Sequence, residues 1–201
     1  MKVLFIEARR KNLKLGSLKD LPEKIHVLYS IQYKDLAQEV RKKLGKRVVA
    51  FEQLLGCSEI KSKASLLLVG SGRFHALQLA LSTGKDIYLY NNKLIKISKE
   101  EIETERKIEK GKIIRFLSSN NIGVLFSRKP GQDRLKEQEK IIKTLVNKYP
   151  DKKFYLFISD NININDLDNF PIDLWLSTAC LGLDLDSKKI INYKKIISLA
   201  S

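Results

Sequence analysis

The chain has two thiols, Cys57 and Cys180, and each stands where chemistry is commonly placed. Cys57 ends the run Gln53-Leu54-Leu55-Gly56-Cys57, just past a strand-like segment. Cys180 ends the run Leu174-Trp175-Leu176-Ser177-Thr178-Ala179-Cys180. Both thus follow the carboxyl end of an apolar strand, the edge of an open α/β sheet along which ligand sites form. No CxxC spacing links them, and two cysteines without an export signal do not make a disulfide framework. A lone cysteine reads as a small buried hydrophobe. Two at matching strand ends also read as soft thiolates that converge, which suits iron–sulfur ligation.

A second constellation is Gly70-Ser71-Gly72-Arg73-Phe74-His75, in which a buried strand runs through two glycines straight into a helix. Glycines allow close backbone approach, and a helix N-terminus favours an anion. A dinucleotide fingerprint needs a third glycine where His75 stands, so that site is disfavoured. The segment reads either as a tight strand–helix turn or as a loop that receives a carboxylate or phosphate. Ser127-Arg128-Lys129-Pro130-Gly131-Gln132 has turn chemistry between a strand and a helix. Arg128 and Lys129 read as a grip for an anion or as a basic surface turn. His26, within a strand, reads as structural.

The elements that must carry these residues are legible as a β-α-β alternation. Strand-like runs fall at 3–8, 26–31, 46–51, 65–69, 86–90, 122–127, 153–159 and 174–178. Their apolar character is continuous rather than alternating, as in parallel strands buried on both faces. Helical stripes run through Leu36, Val40 and Leu44, through Leu77 and Leu81, and through Leu135, Ile141, Ile142, Leu145 and Tyr149. Gly45 and Gly84 sit at C-cap positions. Ser98 with Glu101 forms a capping-box pattern before a long charged helix reaching about Leu117, after which the alternation restarts. These signals predict an α/β protein of two small parallel-sheet, three-layer units, 1–97 and 98–201, packed around a shared cleft without a flexible linker.

Composition bounds the rest. With 38 Lys and Arg against 23 Asp and Glu the net charge is +15, while 43% of residues are hydrophobic. That excludes a disordered chain, and no apolar run is long enough to span a bilayer. The opening run stops at Glu7, too short for a signal peptide, and the expected compartment is the cytoplasm. Most of the lysines are interleaved with acids and read as solvated helix surface. The surplus leaves an acidic or nucleic-acid-associated partner open. No motif with interleaved aromatics supports direct nucleic-acid binding.

Taken in order, Gly56-Cys57 after Gln53-Leu54-Leu55, Gly70-Ser71-Gly72-Arg73-Phe74-His75, Lys129-Pro130-Gly131-Gln132, Phe170-Pro171 and Ala179-Cys180 resemble the diphthamide synthase family, the 2-(3-amino-3-carboxypropyl)histidine synthases of archaea and eukaryotes. The resemblance covers essentially the whole chain. It implies three similar α/β domains in a triangle, each giving one cysteine to a central 4Fe–4S cluster. This chain resembles the second and third domains, with Cys57 and Cys180 as metal ligands and the first domain missing. The resemblance further implies S-adenosylmethionine as cofactor. Gly70, Ser71, Gly72, His75 and Gln132 are assigned to cofactor binding, and no residue is assigned as catalytic. The implied reaction cleaves the bond from sulfur to the methionyl γ-carbon. The 3-amino-3-carboxypropyl radical then adds to a histidine of translation elongation factor 2, the protein substrate. The implied partner is a chain that supplies the missing cysteine-bearing domain, with no membrane involved. Leu181-Gly182 stands where the family usually has Pro-Arg.

Two other functions compete with a catalytic component. One is a non-catalytic scaffold of the same complex, against which the retention of both cysteines argues. The other is an unrelated enzyme with Cys57 as nucleophile and His75 as base, which requires the two within hydrogen-bonding reach.

Overall fold

The computed structural model describes residues 6–55, 60–128, 135–179, 183–184 and 187–200. The chain forms two compact units, Met1–Glu105 and Arg106–Ser201.

In the first unit, an irregular segment over residues 6–24 precedes β1 (Ile25–Tyr29), α1 (Lys34–Leu44), β2 (Val48–Gln53), β3 (Ser65–Val69), α2 (Arg73–Thr83), β4 (Ile87–Asn91) and β5 (Lys93–Lys96). The sheet order is β2-β1-β3-β4-β5, parallel except for the antiparallel edge pair β4–β5. Both faces are covered, which is why the strands read as continuous apolar runs. On one face Val27, Tyr29, Leu67, Val69 and Tyr90 pack under Leu36, Ala37 and Val40 of α1. On the other Leu28, Leu66, Leu68 and Leu89 pack under Ala76, Leu79 and Ala80 of α2. Gly45 (φ 54) and Gly84 (φ 65, left-handed) end α1 and α2 at positive φ, where a glycine carries no Cβ penalty.

Part of the first face has no helix over it. Leu18 and Leu21, with Leu13 and Leu15 beside them, pack there as an extended strap. Gly16 lies against β4, its N–H donating to Tyr90 Oη at 2.5 Å, and an added Cβ would lie 2.5 Å from the Asn92 carbonyl oxygen. Of the strand expected over 3–8, the described residues 6–8 form none. Ile6 is 82% exposed and Glu7 pairs with Arg9, so residues 6–8 offer the sheet no buried face. The run after Asn91-Asn92 is an edge strand, reached through Asn92 at φ 63.

Helix α3 (Lys99–Ser118) carries the division between the units. Its start is a reciprocal capping box: Glu101 N–H donates to Ser98 Oγ at 3.2 Å and Ser98 N–H to Glu101 Oε2 at 3.1 Å.

The second unit contains β6 (Asn121–Ser127), α4 (Leu135–Lys148), β7 (Lys153–Ser159), β8 (Leu174–Ser177), β9 (Ile190–Asn192) and α5 (Tyr193–Ile197). All neighbours in the order β7-β6-β8-β9 are parallel. Phe116 of α3, Ile141 and Leu145 of α4 and Ile196 of α5 cover one face. The opposite face is covered by Leu167 and Ile164 from a 3₁₀ segment, which pack with Trp175 and Leu125.

Candidate functional site

In each unit the parallel strands end on one edge, and the described site residues predicted from sequence, Gly70, Ser71, Gly72 and His75, follow that edge in the first unit. In the first unit Ser30, Leu54 and Gly70 follow β1, β2 and β3. Backbone hydrogen bonds join them to that edge, from Ser30 N to Val69 O at 3.2 Å, from Leu54 N to Tyr29 O at 2.9 Å and from Gly70 N to Tyr90 O at 3.0 Å. The described chain therefore reaches Leu55 from this edge, two residues before Cys57. Gly56, Cys57, Lys129, Pro130, Gly131, Gln132, Cys180, Leu181 and Gly182 lie outside the described residues. The pairing of Cys57 with Cys180 or with His75 falls there too.

Gly70, Ser71, Gly72 and His75 are all described and form the β3–α2 junction. A Cβ on Gly70 would stand 3.1 Å from Ser30 Oγ, and one on Gly72 would stand 2.6 Å from Nδ1 of His75. The second glycine thus lets the imidazole fold back over the loop, its ring edge-on to Phe74 at 4.9 Å between centroids. Ser71 and His75 are exposed, whereas Gly70 is buried with its N–H engaged. Partial burial of the ring holds the His75 pKa below the ordinary histidine value, so at neutral pH it is an uncharged acceptor or ligand. No side chain caps α2 and no acid stands in its first turn, so its N-terminal dipole faces no carboxylate from its own helix. Arg73, at the same turn, is paired with Glu101 of α3, its Nε donating at 3.0 Å. The Ser98 N–H holds the Glu101 carboxyl below the usual range; burial opposes it next, and Arg73 adds to the lowering.

In the second unit Arg128 stands at the end of β6. Its guanidinium forks onto Asp160 at the end of β7, at 2.9 Å for both bonds. The basic grip expected of Arg128 is thus engaged by a neighbouring carboxylate. Past β8, Thr178 donates from both its N–H (3.0 Å) and its hydroxyl (2.9 Å) to the Leu125 carbonyl. His26 is buried in β1 with Nε2 2.7 Å from Glu52, a structural placement as read from sequence.

One cluster went unread in the sequence. Asp184, four residues past Cys180, is buried with Lys112 of α3 at 2.8 Å and Lys195 of α5 at 3.0 Å. The signal for it was a lysine on the apolar stripe of α3, one turn before the fully buried Phe116. Among the described residues, no group of three or more His, Cys, Asp or Glu side chains forms a metal site. No described helix is long and apolar enough to cross a membrane.

A family model for diphthamide synthesis proteins matches residues 2–197. The chain belongs to the diphthamide synthesis protein family. Within that family it is 29% identical over 202 residues to the 2-(3-amino-3-carboxypropyl)histidine synthase of Pyrococcus horikoshii, covering 92% of this chain and 57% of that protein. It is 33% identical over 181 residues to the synthase of the same name from Methanocaldococcus jannaschii, covering 87% and 49%. The crystal structure of Dph2 from Pyrococcus horikoshii superposes with a TM-score of 0.76 at 25% identity, over 92% of this chain and 60% of that one. The structure of that protein with a 4Fe–4S cluster gives 0.74 at 26% identity. The chain therefore spans about half to three-fifths of the relatives it matches, with the α/β fold and parallel sheets expected.

Proposed function

We propose that this chain acts in diphthamide biosynthesis as part of an iron–sulfur 3-amino-3-carboxypropyl transferase. The observation that carries this reading is the family match across residues 2–197, in a chain whose two cysteines follow β2 and β8 by a few residues in the sequence. The donor chemistry fits a 4Fe–4S cluster: both candidate ligands are thiols, the ligand type such clusters take, and a family neighbour holds that cluster. Cys57 and Cys180 would hold it, and when bound it supplies the electron that breaks the carbon–sulfur bond of S-adenosylmethionine. Gly70, Ser71, Gly72, His75 and Gln132 would bind the methionyl ligand. At that loop the α2 N-terminus favours a carboxylate, and the neutral His75 imidazole accepts a hydrogen bond from an ammonium. The acceptor is a histidine of translation elongation factor 2, and the compartment is the cytoplasm.

Two thiols fall one short of the three that the family resemblance implies. We assign the third to a partner chain that carries a further cysteine-bearing domain. A second reading is a scaffold subunit of the same complex that holds no cluster. Anaerobic iron–sulfide reconstitution separates the two. The chain alone is expected to retain little iron. With its partner it should hold a full cluster, cleave S-adenosylmethionine and label elongation factor 2, and Cys57→Ala or Cys180→Ala should abolish all three. A stable cluster and full transfer by the chain alone would overturn the partner assignment. Full activity of the complex with both cysteines replaced would establish the scaffold reading.

A further inference from the structure

Among the described residues, β2, β5, β7 and β9 form the edges of the two sheets, and three of them carry devices that keep an edge from pairing further. β2 contains Glu52, and Arg41 lies over its Phe51 ring at 5.0 Å. β5 begins and ends on a lysine. β9 is three residues long. β7 has none of these. It runs for seven residues with one charge, Lys153 at its first position, and its register with β6 is unbroken. Tyr155 is 44% exposed, and Leu156 and Ile158 are each 47% exposed. Phe170 lies edge-on to Phe157 at 4.8 Å and widens this apolar border.

The bonds to β6 show which main-chain groups of β7 point away. The Lys153 N–H donates to the Asn120 carbonyl at 2.8 Å, and the Ser159 carbonyl accepts from the Arg128 N–H at 3.1 Å. The odd-numbered residues therefore face β6, and the N–H and C=O groups of Phe154, Leu156 and Ile158 face outward. These groups have no partner among the described residues.

We infer that β7 is a docking edge for a second copy of this chain, which pairs with it antiparallel about a two-fold axis at Leu156. A closed pair of identical chains needs a self-complementary edge, and this edge is one. About that axis Leu156 faces Leu156 of the second copy, and Phe154 faces Ile158 of the second copy at either end. Each such pair exchanges two main-chain hydrogen bonds, so the outward groups of all three residues are satisfied. Tyr155 then faces Phe157 of the second copy at the positions where cross-strand side chains come closest. One step past the strand, Lys152 falls opposite Asp160 of the second copy, and no like charges meet across residues 151–161. A slip by one residue would set outward groups against inward ones, and a slip by two would leave one of the three bonded pairs unmade. A strand of another sequence would meet the same main-chain groups without this match of aromatic pairs and charges.

The inference does not depend on the cluster reading. Its test is sedimentation of the full chain at rising concentration, beside the variants Leu156→Lys and Leu156→Glu. Position 156 is exposed, and a long charged side chain there can reach solvent in the single chain. Wild type should form a dimer and nothing larger at about 100 μM, as suits a small interface. Each variant alone sets like charges face to face across the axis and should weaken the dimer at least about tenfold. Mixed in equal amounts, the two variants should dimerise again, because lysine then faces glutamate. Mixing does not repair a merely destabilised unit, so recovery distinguishes a repelled interface from a loosened fold. A wild type that stays monomeric or assembles beyond a dimer overturns the inference, as does a dimer that neither variant weakens. So does a mixture that stays monomeric, since position 156 would then not face itself.

Discussion

Replacing Gly123 by alanine should destabilise the second unit, although alanine is ordinarily the better strand residue. Gly123 lies in β6 directly across from Trp175 of β8. A Cβ built there would lie inside 3.0 Å of Cε3 and Cζ3 of the indole and 3.0 Å from Cδ2. Carbon atoms rest about 3.5–4.0 Å apart, so the ring must retreat by roughly 1 Å. It has little room to do so. Trp175 is 1% exposed and is packed edge-on to Phe157, with centroids 4.7 Å apart, and to Phe170 at 6.0 Å. Overpacking of this kind costs about 1–3 kcal/mol, and loss of glycine's backbone entropy offsets about 0.5–1 kcal/mol. Because the clash involves two ring carbons at once, the net cost should fall near 2 kcal/mol. Trp175 is the chain's single tryptophan, so its fluorescence follows this unit alone during urea unfolding. The midpoint should fall by about 1 M for an m-value of about 2 kcal/mol/M. In a Trp175→Leu background the same glycine substitution should cost less by at least about 1 kcal/mol. A midpoint that stays put or rises in the Trp175 protein would refute the reasoning, because it would mean that the indole does not occupy the space over Gly123.

Gly111 is the matching contrast: it sits in α3 with nothing within 4 Å of an added Cβ, so Gly111→Ala should stabilise by about 1 kcal/mol in thermal or urea unfolding. Ser98→Ala removes one half of the α3 capping box and should cost about 1 kcal/mol, while Ser98→Thr should cost much less. Glu101 has a folded pKa below its unfolded value of about 4.5, so its contribution is present above that pH and lost as pH falls through the folded value. The stability gap between wild type and Glu101→Gln, measured by urea unfolding, should therefore be full at neutral pH and close in acid. Lys195 has the opposite sign: its folded pKa is raised above 10.5, so the gap between wild type and Lys195→Met should hold below that pH and close as pH climbs past it.

The elements most legible in the sequence were those with strong local signals. β3 and β7 are bounded as read, because an apolar run with clear flanks leaves no ambiguity. Ser98 and Glu101 marked the α3 start because a capping box is a contact between near neighbours in sequence. The strand expected at 3–8 was misread over its described part because a short apolar run does not specify whether a sheet has a place for it. β9 was not found, since three residues carry too little pattern. The family was legible because motif order survives where contacts cannot be read. The Asp184 junction was not, since nothing local tells a solvated aspartate from one buried between two lysines far away in the chain.

The strap over the first unit has a kinetic consequence. Gly16 and Tyr90 are bonded across 74 positions, and between them the chain must complete β1, α1, β3 and β4. During synthesis the strap is therefore made well before the surface it covers. Until β4 is in place, Leu18 and Leu21 have only part of their apolar bed, and closing so long a loop must precede the contacts that reward it. The folding of this unit is thus gated by its latest core strand, and exposed leucines wait on the nascent chain in the meantime.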